Sequence, residues 1–376
     1  DGGISWTLIK DNPKDQIVHQ LFADERQLIL VTNQGAFQSL DQGRTWAKQS
    51  MPQTVTATSL SIGKPQNHVL YASILNEGVF KYSSNGWAFI SPEQGPLLAT
   101  PENKLFLSQS LGRILQPKQG RVTLPYNRKV KQRYPSQTAL VLSPQNNTIL
   151  YAGTNTLFQS LNEGKQWNAI SPDLTNGDKG GIRSYATISA ICESPFQFGL
   201  LYTGSDDGMI YTSQNGGVSW QMIYSSFPSP NRVSYLLASK HEAERIYAIL
   251  QNDQHHTLLF RSNNMGKSWD NLKANLPDET INTIVEDPVN EQVLYLGTEN
   301  GLYVSFDMGE KWHPFHQNLP RTSVSAIAIN PETNELYIGT RGNGFFMANI
   351  GSLRELRAAV QNQLFYPLKE SYSIAY

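Results

Sequence analysis

The residues whose types could do chemistry on this 376-residue chain are few: two adjacent acids, Asp206 and Asp207, and two adjacent histidines, His255 and His256, with Asp253 close by. A pair of carboxylates about 5–10 Å apart can cleave a glycosidic bond, one as acid and the other as base or nucleophile. Neighbours in sequence tend to send their side chains apart, which places Asp206 and Asp207 poorly for that work. Two histidines and one acid are weak spacing for a metal and read as a strand-connecting loop. The one cysteine, Cys192, rules out an internal disulfide and sits in the apolar run from Ile188, where a small core residue is expected. A phosphate loop, a nucleophile elbow and a Cys/His zinc pattern are all missing. On these residues the balance is against an enzyme, with no catalytic residue, cofactor or metal assigned. A different cluster stands out. Arg128, Lys129, Lys131 and Arg133 lie between Tyr126 and Tyr134, in a chain of net charge −1 and pI about 6.7. Such a loop suits an acidic protein surface or anionic headgroups.

What positions these residues is a repeat. Ser305-Phe306-Asp307-Met308-Gly309-Glu310-Lys311-Trp312 reads Ser-x-Asp-x-Gly-x-x-Trp, and Ser39 to Trp46 repeats it with Asp41 and Gly43. With Asn for Asp it recurs as Asn162-x-Gly164 ending at Trp167, Asn215-x-Gly217 ending at Trp220, and Asn264-x-Gly266 ending at Trp269. Asp1, Gly3 and Trp6 form its second half, and a shortened copy ends at Trp87. All seven tryptophans close a copy. The Asp or Asn side chain can accept backbone N–H bonds inside a tight turn while Gly takes positive φ, and the Trp ring is then packed on neighbouring strands. The boxes are therefore read as structural turns rather than as sites.

The motif resembles the Asp-box, or bacterial neuraminidase repeat, which implies turns between the third and fourth strands of β-propeller blades. Trp-to-Trp intervals of 40, 41, 80, 53, 49 and 43 residues suit four-stranded blades, and the 80-residue gap hides a unit without a box between Gly95 and Pro125. The expected fold is all-β: a single propeller over 1–350 with eight blades, seven being the alternative. The last unit, with strands at 324–329, 336–339 and 344–347, has no box, and residues 1–10 are expected to supply its fourth strand and close the ring. Leu353, Leu356, Val360 and Leu364 at helical spacing predict a short helix in a 351–376 tail. A chain that begins inside a repeat without Met is expected to be a processed or partial product.

Segments at 171–175, 185–195, 202–208 and 294–305 also resemble the sortilin-type propellers of large secreted bacterial proteins labelled as BNR-repeat glycosyl hydrolases. The likeness runs over roughly 150–370 and implies an extracytoplasmic location without an assigned reaction. Sialidases share the box, but their Arg-Ile-Pro-type stretch is missing, and Arg26, Arg44 and Arg113 are scattered. The propeller face opposite the boxes collects second-to-third-strand loops and blade crossovers, a polar and Gly-rich rim suited to recognition. Its candidate partner-binding residues are Arg183, Tyr185, Asp206, Asp207, Glu299, Arg321, Arg341 and Asn343, with the Tyr126–Tyr134 loop. The function expected is a non-catalytic, exported docking subunit with a protein partner and room for a peptide or glycan ligand. A sialidase-like hydrolase or lectin is the alternative, and a photosystem-assembly-type propeller the second. Neither the charge balance nor any apolar run points to nucleic acid or a membrane span.

Overall fold

The computed structural model describes residues 18–23, 28–32, 35–39, 47–48, 57–63, 69–83, 86–117, 120–126, 130–177, 186–224, 232–252, 254–315, 319 and 321–351. The chain divides into two compact units, residues 1–55 with residue 376, and residues 56–375. In the first, strands Val18–Ala23, Leu28–Thr32, Gly35–Ser39 and Ala47–Lys48 form one antiparallel four-stranded sheet in sequence order.

The second unit is a β-propeller of seven sheets, here called blades A to G, spanning 57–91, 97–123, 139–169, 188–224, 232–271, 281–314 and 324–349. Blades A to F each have four antiparallel strands in sequence order, and G has three among the described residues. Blade B is the unit without a box. Its strands Leu97–Ala99, Leu105–Ser108, Arg113–Gln116 and Gly120–Thr123 pair as one meander, as the four short runs predict.

Each blade packs on the next through alternating apolar residues of its middle strands. The ring closes between G and A, where Ser325 Oγ donates to the Ala57 carbonyl at 2.6 Å. That contact gives seven blades, the alternative count, in place of eight, because the inner strand of G lies directly beside residue 57 of blade A. The closing strand expected at 1–10 and the helix expected at 352–364 lie outside the described residues.

Two devices repeat at the blade junctions. Five inner strands carry a β-bulge at Thr58, Ser189, Ser234, Asn282 and Ser325, each a polar residue that follows an apolar one. A bulge frees one residue from the ladder and re-aims its side chain. Ser189 thus donates to the Val233 carbonyl of the next blade at 2.7 Å, and Asn282 to that of Val324 at 2.9 Å. The second device is a glycine late in the second strand. A Cβ built on Gly153 would lie 2.8 Å from the Ile188 side chain, and one on Gly339 would lie 2.7 Å from the Ala57 Cβ. Gly204 meets Val233, and Gly297 meets Val324, in the same way. These glycines let adjacent blades approach at their inner edges.

Candidate partner-binding rim

The described boxes share one geometry. In the last, Ser305 Oγ donates to Asp307 Oδ1 at 2.7 Å and accepts from the Gly309 N–H at 2.8 Å, while Asp307 Oδ1 accepts from the Lys311 N–H at 2.9 Å. Ser160 and Asn162, Ser213 and Asn215, and Ser262 and Asn264 repeat it. Two successive residues take positive φ, Met308 at 59° and Gly309 at 93°, so the turn tolerates a non-glycine only at the first of them. The carboxylate or amide is thus engaged by its own turn. The tryptophans act between blades: Trp312 Nε1 donates to the Leu272 carbonyl of blade E at 2.9 Å, and Trp220 Nε1 to that of Ile170 in blade C at 3.1 Å. Trp167 instead bonds within its turn, to the Gly164 carbonyl at 2.9 Å. Trp87 lies in the strand Gly86–Ser91, with only its backbone described. Asp1, Gly3, Trp6, Asp41, Gly43 and Trp46 lie outside the described residues.

The opposite rim is a bonded layer. In blades D, F and G the first residue after the second strand donates its N–H to the crossover before the inner strand: Asp206 to the Thr187 carbonyl, Glu299 to Thr280 and Arg341 to Ser323, each at 2.9 Å. Asp206 and Asp207 diverge as expected, and their separation has a purpose. Asp206 Oδ1 accepts from the Thr187 N–H and Asp207 Oδ2 from the Asn176 N–H, both at 2.8 Å. The two acids therefore hold both ends of the crossover that leads from blade C to blade D.

Within the basic loop, Arg133 is engaged internally. Its Nη2 donates to Asp173 Oδ2 and to Thr175 Oγ1, each at 2.7 Å, and its Nε to the Ala186 carbonyl at 3.1 Å. Its own N–H donates to Asn155 Oδ1 at 2.9 Å. Arg133 is thus an anchor that carries the loop onto the turn at 173–176, whose other end Asp207 holds. Lys131 and Tyr126 are exposed, whereas Tyr134 is half-buried against Gly112. Arg128, Lys129, Arg183 and Tyr185 lie outside the described residues. On blade G, Arg321 and Arg341 are exposed and form no ion pair among the described residues, and Asn343 Oδ1 accepts from Thr322 Oγ1 at 3.2 Å.

One rim cluster went unread in the sequence. Glu279, buried just before the inner strand of blade F, accepts from Asn300 Nδ2 at 2.6 Å. Burial and then Glu279 push the Tyr303 phenol up to about 12, and Arg321 pulls it back. An acid directly ahead of an apolar strand, as in Asp278-Glu279-Thr280-Ile281, is the signal that could have found it. His256 Nδ1 lies 3.0 Å from Asp278 Oδ2, and Asp278 is held below the usual carboxylate range chiefly by its hydrogen bond from Lys273. Among the described residues no three His, Cys, Asp or Glu side chains converge as a metal site. Burial pushes the Cys192 thiol up to about 12, which makes it a poor nucleophile.

Burial also pushes the Asp207 carboxyl above its ordinary 3.8, against hydrogen bonds from Ser205 and Asn176 that lower it. A carboxyl raised on folding costs stability once ionised, so its favourable share is present at low pH and is lost as pH rises from 3.8 through the raised value. Asp207→Asn is expected to flatten that fall and to leave a slightly higher melting midpoint at neutral pH. Melting curves across the acid range check this, and an unchanged pH profile would refute it.

Among known proteins, the family model described as sortilin, neurotensin receptor 3, matches residues 257–355. No curated protein matches the chain. The GH74 xyloglucanase from Xanthomonas campestris superposes with a TM-score of 0.59 at 17% identity, over 80% of this chain and 52% of that one. The chain thus spans about half the length of that enzyme. YCF48 from Cyanidioschyzon merolae superposes with a TM-score of 0.56 at 11% identity, over 78% of this chain and 96% of that one. A structure of YCF48 bound to D1 peptide gives 0.51 at 14% identity, over 79% and 94%. No helix among the described residues is long and apolar enough to cross a membrane. At these identities the likenesses establish one thing about this chain, that its fold is a β-propeller of the kind built from Asp-box blades.

Proposed function

We propose that the chain is a non-catalytic propeller that docks a protein or peptide on its crossover rim, as part of an extracytoplasmic assembly. The observation that carries this reading is the division of labour among the rim charges. Asp206 and Asp207 accept bonds from their own backbone surroundings, while Lys131, Arg321 and Arg341 reach solvent. Exposed cations on a bonded, preorganised layer favour an acidic partner and give it little freedom to lose on binding. The likeness to a propeller bound to a peptide supports a peptide-binding role, and the sortilin and xyloglucanase likenesses are in keeping with export.

Reversing Lys131, Arg321 and Arg341 to Glu is expected to weaken partner association by roughly tenfold or more while the far-ultraviolet spectrum stays unchanged. Co-purification from the source followed by titration measures it, and undiminished association would sink the rim as the docking face. The xyloglucanase likeness favours a second reading, a glycan-active propeller. Saturable binding or release of sugar from a β-glucan, lost on substitution at Asp206 or Asp207, would decide for it. The photosystem-assembly reading draws on the YCF48 likeness and would need a partner from that machinery in the same co-purification.

A further inference from the structure

Box tryptophans fill one recurrent seat between blades. Trp312 packs with Tyr247 of the second strand and Leu272 of the fourth in the preceding blade, and with Leu294 of its own. Trp220 packs likewise with Tyr151 and Ile170. The same two positions in blade A are Tyr71 and Ile90: Tyr71 pairs with Lys81 as Tyr247 pairs with Arg261, and Ile90-Ser91-Pro92 repeats Ile170-Ser171-Pro172. Blade B, however, has no box to offer them. Where its tryptophan would sit there is a cleft of about 290 Å³, lined by Tyr71, Lys81, Ile90, Leu105 and Gln116. An apolar cavity of about 150 Å³ already takes a benzene ring, so this one has room for an indole.

A second observation concerns charge. Arg261 donates from Nη1 to the Met308 carbonyl at 2.9 Å and from Nη2 to Glu310 Oε1 at 3.0 Å, four and two residues ahead of Trp312. Lys81, its counterpart by register, has no ion pair or side-chain hydrogen bond among the described residues and lines the cleft. The floor is held in place by Gln116, whose Nε2 donates to the Glu163 carbonyl at 2.8 Å, and by the ion pair of Lys104 with Glu163. The seat is thus formed, half-polar at one end, and among the described residues it lacks the ring and the acceptor that fill its counterpart beside Trp312.

We propose that this cleft is a socket for a tryptophan-bearing acidic segment of a partner protein. The indole enters between Tyr71 and Ile90, and an acid two residues earlier meets Lys81, as Glu310 meets Arg261. The socket opens on the box side of the ring, so it stands independently of the crossover rim.

The test uses the full chain and a peptide of sequence Met-Gly-Glu-Lys-Trp carrying 5-fluorotryptophan, followed by fluorine NMR. Saturable binding is expected, weakened roughly tenfold by Lys81→Glu and abolished by Ile90→Trp, which fills the seat from within. Lys81→Gln keeps the stem should the reversal fail to fold, and is expected to weaken binding in the same direction. A peptide with Ala in place of Trp should not bind. No saturation at millimolar peptide, equal affinity in Ile90→Trp, or retained binding of the Ala peptide would each overturn the proposal.

Discussion

Glu286→Ala is expected to cost the ring about 3–5 kcal/mol, the range for removing one partner of a buried charged network. Glu286 is fully buried at the start of the E–F junction, and the groups around it come from blade E. Ser239 Oγ lies 2.9 Å from both carboxylate oxygens, the Lys240 N–H donates at 2.5 Å, and Tyr247 OH donates at 3.4 Å. The Arg245 guanidinium stands 3.8 Å away. Truncation leaves a buried cation, two donors and a phenol without their acceptor, and a cavity between two blades as well. Glu286→Gln keeps the volume and one acceptor and should lose less than half as much. Chemical denaturation of the three proteins measures this. A loss under about 1 kcal/mol in the alanine variant would mean that water replaces the carboxylate and that the junction is held by its apolar contacts alone. Glu193 plays the related part at the C–D junction, where it accepts from Tyr151 OH at 3.1 Å and from the Gly199 N–H at 2.9 Å.

The second large effect is expected at the ring closure. Gly339→Ala places a methyl group 2.7 Å from the Ala57 Cβ, well inside van der Waals contact, between backbones fixed by two sheets. Overpacking of this kind costs about 1–3 kcal/mol, and Gly339→Val should exceed the alanine variant. Ala57→Gly removes the opposing methyl and should recover most of the loss, which gives a clear coupling in a double-mutant cycle. The cycle also tests the blade count. Residues 57 and 339 couple only if G packs directly on A, so strict additivity would contradict the seven-bladed closure.

Much of the fold was legible because each blade is a local object. The Ser-x-Asp-x-Gly-x-x-Trp turn is written within eight residues, and its bonds run between residues two and four apart, as Ser305, Asp307 and Gly309 demonstrate. The boxless blade was legible for the same reason, since short apolar runs parted by turn residues pair with their neighbours in sequence. The rim was only partly legible. That Asp206 and Asp207 point apart follows from adjacency, but their grip on Thr187 and Asn176 depends on a crossover folding back over the second-to-third-strand loop. Arg133 looked like its basic neighbours in sequence. Its engagement with Asp173, 40 residues on, appears only once blades B, C and D stand side by side.

By itself, then, the sequence determined the all-β class, the four-stranded blade and the structural nature of the boxes. These follow from hydrogen bonds and strand periodicity over a few residues, which the local chain cannot avoid. The tertiary structure alone decided how many blades close the ring, which rim charges face outward, and that the missing tryptophan of blade B leaves an open seat. Those outcomes depend on sideways packing between sheets, such as Ser325 on Ala57 across 268 residues. A polar residue at a bulge and a glycine at a close approach carry no mark of which blade they will meet.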